Sequence, residues 1–81
     1  MRRARMEGLR RNALIAIANG RHTECLDLVV QVMESDPDPV VRATAVWAAT
    51  KLGDKDAPRR ALNDHDPLVY DEAQALLFNT E

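Results

Sequence analysis

Two Asp-Pro openings at a fixed offset constrain this chain more than any other feature. Asp36-Pro37-Asp38-Pro39-Val40-Val41 returns 28 residues later as Asp64-His65-Asp66-Pro67-Leu68-Val69. An aspartate just before a helix accepts from backbone N–H groups that have no partner inside the helix, and proline at the first helical position gives up a donor that would be orphaned anyway. Each opening therefore predicts a helix start. Behind the first, Val41, Ala45, Ala48, Ala49 and Leu52 fall on one side of a helical period, and Gly53 is the residue type that most easily closes a helix in the left-handed conformation. A fainter copy lies upstream: Leu9, Arg10, Ala13, Ala16 and Ile17 stand 32 residues before Val41, Arg42, Ala45, Ala48 and Ala49. Self-similarity at periods of this size points to stacked helical units.

The same reasoning extends to about five helices. The first runs from about Arg3 to Asn19, ended by Asn19-Gly20, with Met6, Leu9, Ala13, Ile17 and, at the margin, Leu14 as its apolar stripe. Residues 23 to 35 form the second, with Thr23 as its cap and Leu26, Val29, Val30 and Met33 turned inward. The third is the stretch behind Asp38. A short fourth starts at Asp56-Ala57-Pro58 and reaches about Leu62. The fifth opens at Asp66-Pro67, buries Val69, Ala73, Leu76 and Leu77, and ends with Phe78 closing the stack. Only three aromatics occur, Trp47, Tyr70 and Phe78, a composition that suits thin helical layers better than a β-sandwich. The expected fold is all-α, an α-α superhelix in one domain spanning residues 1–81. Helix one resembles the second helix of a pair whose first member is missing. The chain is thus expected to be the C-terminal fragment of a longer protein, or a small protein that self-associates through its N-terminal helix.

Several function classes are excluded at this level. No apolar run approaches the roughly 20 residues that span a bilayer, so no membrane partner and a cytoplasmic location are expected. Cys25 is the only cysteine, which rules out an intramolecular disulfide and an iron–sulfur cluster held wholly by this chain. His22 and Cys25 are two potential ligands where zinc needs at least three, so no metal and no cofactor are expected in this chain. There is no Gly-rich phosphate loop, no H-E-x-x-H helix and no nucleophile–His–carboxylate set, so the chain alone is not expected to be an enzyme. Asp36 and Asp38 are explained by helix starts rather than by acid–base chemistry.

Charge is distributed unevenly. Residues 1–21 carry a net +5 and residues 22–81 a net −7. A basic N-terminal face meets an anionic partner or an acidic neighbouring surface. Arg5, Arg10 and Arg11 border the first helix's stripe. They serve either as solubilising side chains with packed stems or as paired donors to phosphate oxygens. Arg59 and Arg60 on helix four offer solvent-facing charge or a second basic patch. Trp47 stands almost opposite its helix's core stripe, where it packs against an adjacent unit or presents a stacking platform.

The run Val41-Arg42-Ala43-Thr44-Ala45 through Lys51-Leu52-Gly53-Asp54 resembles the second helix and following turn of a HEAT-type repeat. That resemblance implies that Arg42 pairs with an aspartate at the preceding turn, which here is Asp36. In the next unit Asp64 is retained but Tyr70 replaces the arginine, which implies a capping role for the last unit. The order Gly8-Leu9-Arg10-Arg11-Asn12-Ala13-Leu14-Ile15-Ala16-Ile17-Ala18-Asn19-Gly20, then Asp38-Pro39-Val40-Val41-Arg42 with Val46-Trp47-Ala48, then Asp66-Pro67-Leu68-Val69, is similar to the C-terminal HEAT-like domain of epoxyqueuosine reductases, iron–sulfur and corrinoid enzymes acting on the tRNA wobble base in queuosine synthesis. It implies a non-catalytic appendage beside a catalytic domain. tRNA would be the partner, held through Arg10, Arg11 and Arg5, with Arg42, Trp47, Arg59 and Arg60 as lesser contacts. The alternative is a protein-interaction scaffold that uses the concave side of the stack.

Overall fold

The computed structural model describes residues 2–78, with side chains from residue 7 onward. Within this range the chain forms α1 (Arg2–Asn19), a short 3-10 turn (Thr23–Cys25), α2 (Leu26–Ser35), α3 (Pro39–Lys51), α4 (Ala57–Ala61) and α5 (Pro67–Phe78), with no strand among the described residues. The all-α architecture is the one its repeats dictate.

α3 is the centre. It packs against α1, α2, α4 and α5, and Val41, Ala45, Val46, Ala48 and Ala49 on it are fully buried. Three of those five are alanines, and small side chains let neighbouring helices approach the same rod from several sides. The remaining contacts sort the helices into two layers. α1, α3 and α5 lie side by side, while α2 covers α3 and α4 covers α5. The molecule is accordingly slab-shaped, 38 × 28 × 18 Å, its thinnest dimension that of two helix layers at the usual 8–10 Å spacing.

The openings behave as the sequence requires. Asp38 Oδ1 accepts from the N–H groups of Val40 at 2.8 Å and Val41 at 3.1 Å, and Asp66 Oδ1 accepts from Leu68 N–H at 2.9 Å. At the far end of α3, Asp54 N–H reaches back to Ala49 O and Gly53 N–H to Thr50 O. Gly53 takes φ +107°, so α3 ends in a Schellman turn on the glycine the sequence singled out.

α1 ends at Asn19, as expected, in the same kind of turn, with His22 N–H bonded to Ile17 O and Arg21 N–H to Ala18 O; its left-handed residue is Arg21, φ 56°. Gly20 leaves room for the His22 ring, which would have to turn aside for a Cβ placed 2.5 Å from it. Thr23 opens a 3-10 turn rather than capping an α-helix, and α2 starts only at Leu26. α4 starts and ends where expected, between Asp56 and Leu62, without a side-chain cap from Asp56; Asp54 braces this turn, accepting from Asp56 N–H at 3.0 Å.

The stripe of α1 is also rotated from the expected one. Leu14 and Ala18 are its buried residues, Ile17 packs beside them, and Leu9 (59% exposed) and Ala13 face outward. Met6 lies outside the residues with described side chains. α1 is apolar on two sides, and only the side toward α3 is covered. At the other end Phe78 is 78% exposed and does not close the stack.

Candidate functional site

The arginines singled out in the sequence fall into two groups. The first group is already engaged. Arg10 Nε donates to Asp36 Oδ2 at 2.8 Å and its Nη2 to Asp36 Oδ1 at 3.1 Å. Arg42 repeats this one repeat unit on, with Nε to Asp64 Oδ2 at 2.8 Å and Nη2 to Asp64 Oδ1 at 3.2 Å. Arg42 therefore pairs forward with the next opening, not with the carboxylate of Asp36; its own turn is held through Nη1, which donates to the Asp36 carbonyl at 2.8 Å. The planar guanidinium suits this, because its fork matches a carboxylate and still leaves donors for a third oxygen.

Each acceptor does two jobs. Asp36 Oδ1 also takes the N–H of Asp38, and Asp64 Oδ1 that of Asp66, both at 2.9 Å, so one carboxylate shapes its own turn and receives the preceding layer. Among the described residues no buried side-chain nitrogen or oxygen lacks a partner. Arg42 is buried, its side chain 9% exposed, and its hydrogen bond to Asp64 holds its pKa above the ordinary arginine value against the opposing effect of desolvation. For Asp64, desolvation acts upward, but the Arg42 hydrogen bond, the Asp66 N–H and the arginine's charge outweigh it and leave the carboxyl below the usual range. Arg60 belongs to this engaged group, with Nη2 2.9 Å from Asp54 Oδ2 and Nε 3.8 Å from Glu34.

The second group is open. Arg11 on α1 and Arg59 on α4 are exposed and form no ion pair among the described residues. The Arg5 side chain lies outside the described residues. Arg11 edges a cleft of ≈ 570 Å³ that runs across the α1/α3/α5 layer. α1 contributes Arg11, Ile15 and Asn19; α3 contributes Val40, Ala43, Thr44 and Trp47; α5 contributes Leu68 and Glu72. Trp47 is half-buried here, with Lys51 Nζ 5.9 Å from its ring centroid, within reach of a cation–π contact.

The structure thus brings Arg11 and Trp47 to one cleft and places Arg59 and Arg60 on the other layer. Ile15, Val40, Leu68, Lys51 and Glu72 were not foreseen. The repeat offsets could have found some of them, since the 32-residue shift carries Ile15 onto Trp47 and the 28-residue shift carries Val40 onto Leu68. The other candidate chemistry is slight. His22 Nδ1 lies 3.2 Å from Glu24 Oε2, Cys25 is half-buried, and among the described residues no group of three or more His, Cys, Asp or Glu could hold a metal ion. No helix of the described residues is long and apolar enough to cross a membrane.

Comparison with known proteins agrees with this architecture. The family described as HEAT repeats matches residues 1–77. An epoxyqueuosine reductase of Bacillus subtilis is 41% identical over 46 residues, 57% of this chain and 12% of the reductase. One of Listeria monocytogenes is 35% identical over 72 residues, 84% of this chain and 19% of the reductase. The chain therefore spans only a minor part, 12% to 19%, of these relatives' length. No solved structure matches it.

Proposed function

The chain belongs to the HEAT repeat family, and we propose that it serves as a non-catalytic helical module of an epoxyqueuosine reductase-like protein, helping a catalytic domain hold tRNA in the cytoplasm. In this reading it is one part of a longer polypeptide, and the redox chemistry is done elsewhere. The observation that carries the proposal is the division among the arginines. Arg10 and Arg42 are engaged by the fold, whereas Arg11, next to Arg10 in sequence and on the most basic helix, forms no ion pair among the described residues and lines one cleft with Trp47. A free guanidinium donates in pairs to phosphate oxygens, and an indole beside it offers a face on which an unpaired base stacks.

Arg5, Arg11 and Arg59 supply the phosphate contacts, with Trp47 lining the same cleft as Arg11 and Lys51 set over the Trp47 ring. Arg10, Arg42 and Arg60 act by holding the surface in shape. With two or three phosphates neutralised, log affinity for tRNA falls against log salt with a slope of roughly −2 to −3. Titrating tRNA with the 81-residue chain at rising salt tests this. Absence of binding at low salt, or an Arg11→Ala chain that binds as well as the parent, overturns the assignment.

A second reading is favoured by the floor of the cleft. Ile15, Val40, Ala43 and Leu68 make it apolar, and Val40 and Leu68 are 45% and 46% exposed. Such a surface suits a protein segment, and the chain then acts as a docking scaffold for another domain.

A further inference from the structure

We infer that the cleft across α1, α3 and α5 receives an amphipathic helix that carries carboxylates along one edge and cations along the other. This rests on the docking reading of the cleft and specifies its partner's chemistry.

Equivalent positions of the three units bear the argument. The position held by Arg11 in α1 becomes Ala43 in α3 and Asp71 in α5; its neighbour runs Asn12, Thr44, Glu72. The layer thus passes from basic through neutral to acidic over three successive helices. Arg11 and Glu72 both line the cleft, yet they do not meet, and neither forms an ion pair among the described residues. Between them lies the apolar floor. Opposite charges on either rim of an apolar trough, too far apart to neutralise each other, are complementary to a helix whose apolar stripe faces down and whose two flanks differ in sign. Trp47, half-buried in the floor, is the side-chain type that most often anchors such contacts.

The size agrees. A cleft of ≈ 570 Å³ falls within the range that takes a small ligand or a short row of anchoring side chains. A polyanion fits less well, because one following the whole cleft would bring phosphates against Glu72. Within the cleft, RNA contact is thereby limited to the α1 rim and Trp47, whereas an amphipathic helix also uses the acidic rim. The charge gradient also fixes the direction of the helix, since turning it end for end exchanges its edges.

The test uses a designed 18-residue peptide with leucines at i, i+3, i+4 and i+7, glutamates along one edge and lysines along the other. A companion peptide of equal composition has both residue types mixed on each edge, so that neither direction of binding restores the match. Binding is followed by Trp47 fluorescence and by chemical shifts of Ile15, Val40 and Leu68. The segregated peptide is expected to bind about three- to ten-fold more tightly than the mixed one, the gain from two partly exposed charge pairs. Glu72→Lys is expected to abolish that preference, to favour a peptide with two acidic edges, and to leave helical circular dichroism unchanged. Equal binding of both peptides in the cleft would overturn the polarised partner while leaving the docking reading intact. No shift at the cleft residues with either peptide would overturn both. A concentration-dependent doubling of mass that Glu72→Lys abolishes would make a second copy of the chain the occupant, and so overturn the inference as well.

Discussion

Arg10 and Arg11 are neighbours in sequence and opposites in the structure. Arg10 turns toward Asp36 and fastens α1 to the next repeat unit; Arg11 turns to the cleft and forms no ion pair among the described residues. One helical step of about 100° separates a structural rivet from a free charge. The lesson is that arginine content does not measure a nucleic-acid surface here. The basic segment's excess of charge is drawn down by the fold, and what remains for a partner is set by which arginines the aspartate openings do not claim.

The largest test of that division is Arg42→Ala. It leaves Asp64 with a poorly solvated, uncompensated charge and strips a donor from the Asp36 carbonyl, so it is expected to cost about 3–5 kcal/mol. In thermal unfolding followed by circular dichroism that lowers Tm by more than about 10 °C for a domain of this size. A loss below about 1 kcal/mol would mean that the rivets are ornamental. Arg10→Ala is expected to shift Tm in the same direction by less, because its side chain is 36% exposed against 9% for Arg42; a greater shift would reverse the ranking of the two layers.

Acid should act on the same contact. The folded-state pKa of Asp64 is lowered, so the unfolded chain binds the proton more readily. The contribution is fully present above the ordinary aspartate value of about 3.9 and is lost as pH falls through the lowered one. Urea unfolding below about pH 4 should therefore show stability falling with pH, and the fall should shrink in Asp64→Asn. An unchanged slope would separate the acid effect from this pair. Smallest of all, Arg11→Ala should move stability by no more than about 0.5 kcal/mol, as for a surface change away from any buried contact, while reducing tRNA retention.

Much of the fold was legible because it is written in capping chemistry. Asp38, Asp66 and Gly53 have few alternative uses, and the five residues assigned to the inner side of α3, Val41, Ala45, Ala48, Ala49 and Leu52, are all buried. Periodicity failed on α1, where two apolar sides compete and sequence alone does not say which one a neighbour covers. Leu9 and Ala13 look as apolar as Leu14 and Ala18, and only the placement of α3 distinguishes them. The pairing of Arg42 failed for a related reason. Asp36 and Asp64 are the same motif, and whether an arginine reaches its own turn or the next depends on how the layers are offset in space. The cleft was half legible: Trp47 and Arg11 stood out as isolated residue types, whereas Ile15, Val40 and Leu68 look like ordinary core residues until the layer is assembled.

The forward reach of Arg42 has a mechanical corollary. Its fork grips the second opening while its remaining donor grips the first, so neither turn can loosen without loading the other, and amide protons in the two turns should exchange with solvent as a single unit. Tyr70 stands at the next equivalent position and has no such fork to extend. Any further unit stacked past α5 would lack this guanidinium fork, making that seam the one at which a longer array would be expected to come apart first.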